Sequence, residues 1–283
     1  MANMAVSTSA ASRNLSHGTH WAYEDPPQFQ SFSFENIDYP LWKHFMALNW
    51  TLPIWVSGLY VVVIFSLQRC MKHRAPFKVD WALALWNLGL AIFSIMGFCR
   101  ISTELFAVLT SPNGFHRSVC SREGLNEPMA YWSILFALSK FVELGDTIFI
   151  VLRKQPLILL QWYHHCTAMI LAWQIVPRAE PITRYLGAMN YGVHSIMYPY
   201  FFLKCMKIHI PRKISQLLTF LQLLQMLVAV TINAYSQFVI SSGQPCAREE
   251  SSIRWIWAIY GSYVYLFGEF FYKSYYSRKS KKL

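Results

Sequence analysis

Residues 81–106 read WALALWNLGLAIFSIMGFCRISTELF, an apolar run longer than the roughly 20 residues that carry a helix across about 30 Å of hydrocarbon. Such a run is read as a membrane-spanning helix. Six further stretches of the 283-residue chain fit the same length and character, at approximately 48–67, 131–152, 157–175, 185–203, 214–240 and 253–272. Composition agrees: 54% hydrophobic, 17% aromatic and only 14% charged residues is too apolar for an ordinary water-soluble domain. The expected fold class is an all-α integral membrane protein with seven transmembrane helices. Residues 1–47 form a tail before the spans, 48–272 the seven-helix domain and 273–283 a basic tail after it. The connections carry turn-forming residues, as in Ser111-Pro112-Asn113-Gly114 and Ser241-Ser242-Gly243-Gln244-Pro245, and no stretch remains for a soluble domain. The polar stretch 7–38 lacks the basic, apolar and small-residue order of a cleaved signal.

Orientation follows from the uneven distribution of the +11 charge. One set of connections holds Arg69, Lys72, Arg74, Lys78, Arg153, Lys154, Lys204, Lys207, Arg212, Lys213 and the tail from Lys273 to Lys282. The other holds only Arg13, Lys43, Arg117, Arg122, Arg178, Arg184, Arg248 and Arg254. Because cytosolic loops are enriched in Lys and Arg, the N-terminus is expected in the lumen and the C-terminus in the cytosol. The basic excess either serves topology alone or also faces an anionic, phosphate-bearing ligand or acidic lipid. Nucleic acid is not among the expected partners.

Six cysteines are too few and too scattered for a disulfide framework or a zinc ribbon. In this topology Cys120 and Cys246 face the oxidising lumen and are free to pair, Cys70 and Cys205 lie toward the reducing cytosol, and Cys99 and Cys166 read as core thiols.

Within the spans, charge is expensive: a charged side chain at membrane depth costs roughly 2.5 to 3.5 kcal/mol on insertion scales. Lys140, Glu143, Asp146, His164, His165, Asn190 and His194 nevertheless fall inside them, so they need a shared polar chamber. Lys140, Glu143 and Asp146 recur at steps of three, which places them on one helix face. Either Lys140 and Glu143 form a structural ion pair, or the face is functional, with Asp146 orienting a histidine of the next span. That span carries Gln161-Trp162-Tyr163-His164-His165 about two turns in, at a depth matching Asp146. Adjacent histidines point about 100° apart, so the two have different tasks. Asn190, His194 and Tyr198 form a stripe at i, i+4 and i+8, and Gln222 and Gln225 add two amides on the sixth span.

The ordered series KFVELGDT (140–147), QWYHH (161–165), MNYGVHSIMY (189–198) and TFLQLLQ (219–225) resembles the motifs of the very-long-chain fatty acid elongase family. The resemblance covers nearly the whole chain, since Trp86-Asn87, Phe93-Ser94, Arg100 and the pairing of Cys120 with Cys246 are also similar to that family. Leu160, Trp162, Tyr163 and residues 189–194 are most similar to the branch acting on saturated and monounsaturated long chains.

The resemblance implies a 3-ketoacyl-CoA synthase of the endoplasmic reticulum that condenses long-chain acyl-CoA with malonyl-CoA. It implies six helices forming a barrel around an acyl tunnel, one peripheral helix, and CoA lying toward Arg153, Lys154, Lys204 and Arg212. No metal or organic cofactor is implied, and the partners are the bilayer, the two CoA substrates and the reductases and dehydratase of the elongation cycle. The oligomeric state is left open, a homodimer included. His164 and His194 are assigned as the reacting pair through an acyl-imidazole, His165 and Asp146 as orienting or proton-handling groups, and Lys140, Glu143, Gln161, Asn190, Tyr198, Gln222 and Gln225 as substrate-facing polar lining.

One departure from the family is Gln161, which stands where its histidine box begins with His; glutamine can position a neighbour but cannot act as base or acyl carrier. An elongase-like protein of reduced or lost activity is therefore an alternative. A di-iron desaturase or hydroxylase needs roughly eight ligands and finds three histidines at membrane depth, and a seven-helix receptor or transporter would explain the cavity without chemistry. Asn14-Leu15-Ser16 is a glycosylation sequon in the expected lumenal tail, and Lys279 and Lys281 have the spacing of a dilysine retrieval signal.

Overall fold

The structure, a computed structural model, describes residues 29–121 and 126–277. The described residues are helical with no strand: a 3₁₀ turn at Ser33–Glu35, then α1 (Tyr39–Leu48), α2 (Leu52–Met71), α3 (Asp80–Leu109), α4 (Gly114–Cys120), α5 (Glu127–Glu143), α6 (Gly145–Leu152), α7 (Leu159–Ile175), α8 (Thr183–Cys205), α9 (Arg212–Ser241) and α10 (Glu250–Tyr275). Three of them, α2, α3 and α9, are long and apolar enough to cross a membrane. The protein is a helical membrane protein. Each of the seven apolar stretches of the sequence is mainly helical.

Local chemistry sets the boundaries. The Asp38 carboxylate accepts from the Leu41 N–H and Pro40 follows it, so α1 starts capped. Asn126 accepts from the Met129 N–H and Pro128 follows it at the start of α5. Pro156 and Pro211 stand just before α7 and α9. Pro199, by contrast, sits inside α8 without ending it.

The most extensive packing is between α3 and α8, followed by α9 with α10. Helices approach closely in membranes where side chains are small. A Cβ added at Gly97 of α3 would lie 2.7 Å from the Tyr191 ring of α8, so only glycine admits that ring. α2 packs on α6 and α7 and leaves much of its surface outward.

The two ends of the bundle differ. At one end Cys120 is bonded to Cys246, Ala247 N–H donates to the Cys120 carbonyl at 2.7 Å, and Arg248 reaches Glu180 at 2.6 Å, both side chains fully buried. At the other end Phe77 N–H donates to the Leu152 carbonyl and Arg153 lies 3.5 Å from Asp80, tying the α2–α3 connection to the end of α6.

Three expectations need correction. The third apolar stretch is not one helix: it breaks at Leu144 into α5 and α6. The Trp86 indole lies over the break, where a Cβ on Gly145 would come within 2.6 Å of it. The first stretch is interrupted too, since residues 49–51 form a turn between α1 and α2. Residues 29–47, part of the stretch read as a tail, touch the bundle at two buried positions, Glu35 and Met46, and the Trp173 indole N–H reaches the Met46 and Asn49 carbonyls. Asn14, Lys279 and Lys281 lie outside the described residues.

Candidate active site

The ionisable residues of α5 and α8 close into a ring. Lys140 Nζ donates to Glu143 Oε1 and to Asn190 Oδ1, both at 2.7 Å, and Ser139 Oγ adds a bond to Glu143 at 3.1 Å. Lys140 and Glu143 are both about 3% exposed, and a buried pair of this kind persists where hydrogen bonds satisfy its remaining atoms. Asn190 Nδ2 lies 3.2 Å from His194 Nε2, and His194 Nδ1 lies 3.8 Å from Glu143 Oε1.

An ammonium only donates, so Asn190 must turn its oxygen to Lys140 and its amide N–H to His194. The network thereby assigns His194 Nε2 as an acceptor. In the neutral imidazole the proton then rests on Nδ1, facing the Glu143 carboxylate. Of the two readings of this face, the structural ion pair of Lys140 and Glu143 is present, and Glu143 also stands beside His194, a contact that neither reading named.

Asp146, on α6, lies outside this ring. Its carboxylate accepts from the Trp86 indole at 2.6 Å and the Tyr198 hydroxyl at 3.0 Å, and no imidazole bonds it directly. The expected orientation of a histidine by Asp146 is corrected accordingly: it reaches His194 only through Tyr198, whose ring stands 5.1 Å from the imidazole, centroid to centroid.

On α7, His165 is buried and pairs with Gln161 Nε2 at 2.8 Å. Gln161 therefore occupies a positioning place in the box. His164 points elsewhere, as the 100° offset requires. Its ring lies against Tyr263, Phe267 and His165, with centroids at 4.9, 5.7 and 5.5 Å, and makes no hydrogen bond among the described residues.

A cavity of about 680 Å³ opens among these groups. Asp146, Gln161, His164, His165, His194, Tyr198 and Gln222 line it, with Arg153, Gln155, Lys204 and Ser215 toward the end opposite the disulfide. A second void of about 40 Å³ is lined by Phe136, Lys140, Asn190, Gln225, Tyr260 and Tyr263 among others. His164 alone lines both. It stands at the boundary between the large chamber, into which the ionisable groups project, and a small recess deeper in the bundle.

The expected CoA-facing cations divide. Arg153 and Lys204 line the chamber. Lys154 does not: its Nζ holds the Lys72 and Arg74 carbonyls at 3.2 and 2.8 Å, bracing the α2–α3 connection. Arg212 also lies outside the lining, donating to the Ser274 carbonyl at 2.8 Å with its guanidinium over Tyr275. Gln222 points its amide at Met197 Sδ, 3.2 Å away, and Gln225 Oε1 is buried with no partner beside the small void.

Charge is balanced at one end and not at the other. Near the disulfide, Arg178, Arg184, Arg248 and Arg254 each pair with a glutamate. At the opposite end, around the α8–α9 connection beside the chamber, Lys204, Lys207, Arg212 and Lys213 have no carboxylate within ion-pair distance among the described residues, leaving a net positive rim of which Lys204 lines the chamber. Among the described residues no group of three or more His, Cys, Asp or Glu side chains is arranged to hold a metal ion.

Sequence reasoning missed two contributors. Trp86 was noted only as part of a resemblance, although its indole is the shortest contact to Asp146. Tyr263 gave no signal at all; it packs on His164 and donates to the His164 carbonyl at 3.2 Å.

The fold and this site define a helical membrane protein with a histidine-lined chamber. Residues 45–283 match the ELO: GNS1/SUR4 family. The chain belongs to that family. It is similar to very long chain fatty acid elongase 6 of Drosophila melanogaster, 43% identical over 249 residues that make up 86% of this chain and 78% of the relative. It is also similar to putative fatty acid elongase 3 of Caenorhabditis elegans, at 38% over 83% of this chain and 74% of that one, and to the Homo sapiens very long chain fatty acid elongase 6, at 37% over 83% and 89%.

Proposed function

We propose that this protein is a 3-ketoacyl-CoA synthase of fatty acid elongation, condensing a long-chain acyl-CoA with malonyl-CoA. The observation that carries the reading is the position of His164, shared by the large chamber and the recess beyond it. A thioester whose CoA lies in the chamber and whose tail enters the recess would present its carbonyl at that imidazole.

The balance of the reaction assigns the roles. A His164 ring nitrogen attacks the thioester carbonyl, the carbon–sulfur bond breaks and CoA leaves with a proton. The malonyl group loses carbon dioxide, its carbanion attacks the acyl-imidazole, the carbon–nitrogen bond breaks, and the departing His164 ring takes up one proton from solvent as the 3-ketoacyl-CoA product forms. His164 suits the carrier role because its ring makes no hydrogen bond among the described residues, whereas the Nε2 lone pair of His194 is engaged by Asn190. His194, with Glu143 behind its Nδ1, is placed to handle protons or polarise the malonyl group. Gln161 fixes His165, a positioning role that glutamine fills as well as histidine. The positive rim suits the phosphates of CoA. No resident metal or cofactor enters this scheme.

The same reading places the protein in the endoplasmic reticulum membrane with seven spans, α5 and α6 together forming one. The N-terminus is lumenal, the C-terminus cytosolic, α2 peripheral, and the other six spans surround the acyl path. The cycle's reductases and dehydratase are the partners it needs. The test is the full-length protein in microsomes with labelled malonyl-CoA and a series of acyl-CoA primers. Label incorporated only in the presence of a primer supports the reading, and its absence with every primer length overturns it.

A further inference from the structure

The recess beyond His164, at about 40 Å³, holds about one or two water-sized groups, so an acyl tail longer than a few carbons must displace its wall. What stiffens that wall then decides which tails fit. Phe136 is part of it. The Phe136 ring lies 5.7 Å from that of Tyr191, which lies 6.1 Å from Trp132 and donates its hydroxyl to the Trp132 carbonyl at 3.1 Å. The Trp132 indole N–H donates to Glu35 Oε1 at 2.7 Å, and the same carboxylate takes Arg100 through two bonds of 2.8 and 2.6 Å. Glu35 is fully buried although it belongs to the segment preceding the spans, and that segment is held to the bundle again at Met46.

We propose that Glu35 is a specificity-determining positioning residue: by fixing Trp132, and through it Tyr191 and Phe136, it limits the length of acyl tail the recess accepts. The inference deepens the elongase reading and rests on it. A carboxylate held by a guanidinium and an indole is a rigid anchor, because each bond is charge-assisted and the carboxylate itself is buried. Removing its charge frees the tryptophan to shift, the aromatic stack to follow, and the recess to lengthen.

The test compares product lengths from labelled malonyl-CoA and palmitoyl-CoA for the full-length protein and for Glu35→Gln, Glu35→Asp and Phe136→Leu. Glu35→Gln and Phe136→Leu are expected to raise the share of products at least one two-carbon step longer by about threefold or more, as relief of an overpacked wall implies, with Glu35→Asp near wild type. Lengthening by Phe136→Leu but not by Glu35→Gln overturns the coupling, and no lengthening by either overturns the wall itself. Hydrogen exchange of α5 provides a readout independent of turnover. Faster exchange around residues 132–136 in Glu35→Gln is expected, and unchanged exchange overturns the inference even if the protein elongates nothing. Absence of elongation by the wild-type protein strikes the elongase reading alone.

Discussion

At the scale of single residues, the two candidate reacting histidines differ in what surrounds them. His164→Ala should abolish acyl transfer, seen as loss of the CoA released when acyl-CoA is supplied without malonyl-CoA; the expected fall is at least about a hundredfold. His194→Ala should block condensation while leaving some of that first release, because its Nε2 is committed to Asn190. Equal loss of the first stage in both variants would reverse the assignment. Gln161→His is expected to keep near-normal turnover, since either side chain can hold His165; an inactive variant would mean that the amide itself is required. Glu35 adds a pH dependence. Burial alone would raise its carboxyl, but the bonds from Arg100, the Phe32 N–H and Trp132 outweigh it and hold the group below its ordinary value. Its stabilising contribution is therefore complete above the ordinary carboxylate range and lost as pH falls through the lowered value. Limited proteolysis between residues 29 and 48 should set in only in acid, and Glu35→Gln should remove that pH dependence.

At the scale of helices, spacing in the sequence carried far. Lys140, Glu143, Asn190 and His194 stand at i, i+3 and i, i+4 steps, and each pair meets on the face those steps define. The break at Leu144 gave no such signal, since the Trp86 indole of α3 that lies over Gly145 is brought there only by the fold. Asp146, on α6, bonds Trp86 and Tyr198 instead of a histidine. Cation roles were least legible, since charge in a sequence does not say which way a flexible side chain turns. Lys154 and Arg153 are neighbours, yet only Arg153 lines the chamber. Close helix approach gives a test of packing. Gly97→Ala should cost about 1–3 kcal/mol, because a methyl group at 2.7 Å forces the Tyr191 ring to move; a change in melting temperature of detergent-solubilised protein measures it. An unchanged melting temperature would mean that α3 and α8 can separate there at no cost.

For the whole molecule, the expected topology makes the C-terminal lysines an address. Replacing Lys279 and Lys281 with serine should let part of the protein leave the endoplasmic reticulum, read by microscopy against compartment markers, whereas an unchanged distribution would exclude their use. The bond between Cys120 and Cys246 has a mechanical consequence. It lies at the end of α9 farthest from the chamber mouth, where Arg248 also grips Asn233 and Ser236 of that helix, while the start of α9 is held by no covalent bond and no ion pair among the described residues, its ties being Arg212 to Ser274 and Tyr275 and Thr219 to Tyr275. A helix of 30 residues is about 45 Å long, so a tilt of about 5° about the pinned end swings the other by about 4 Å. On the proposed topology and substrate, α9 would work as one arm of a pair of tongs, its fulcrum on the lumenal side and its jaw where the nucleotide headgroup would pass.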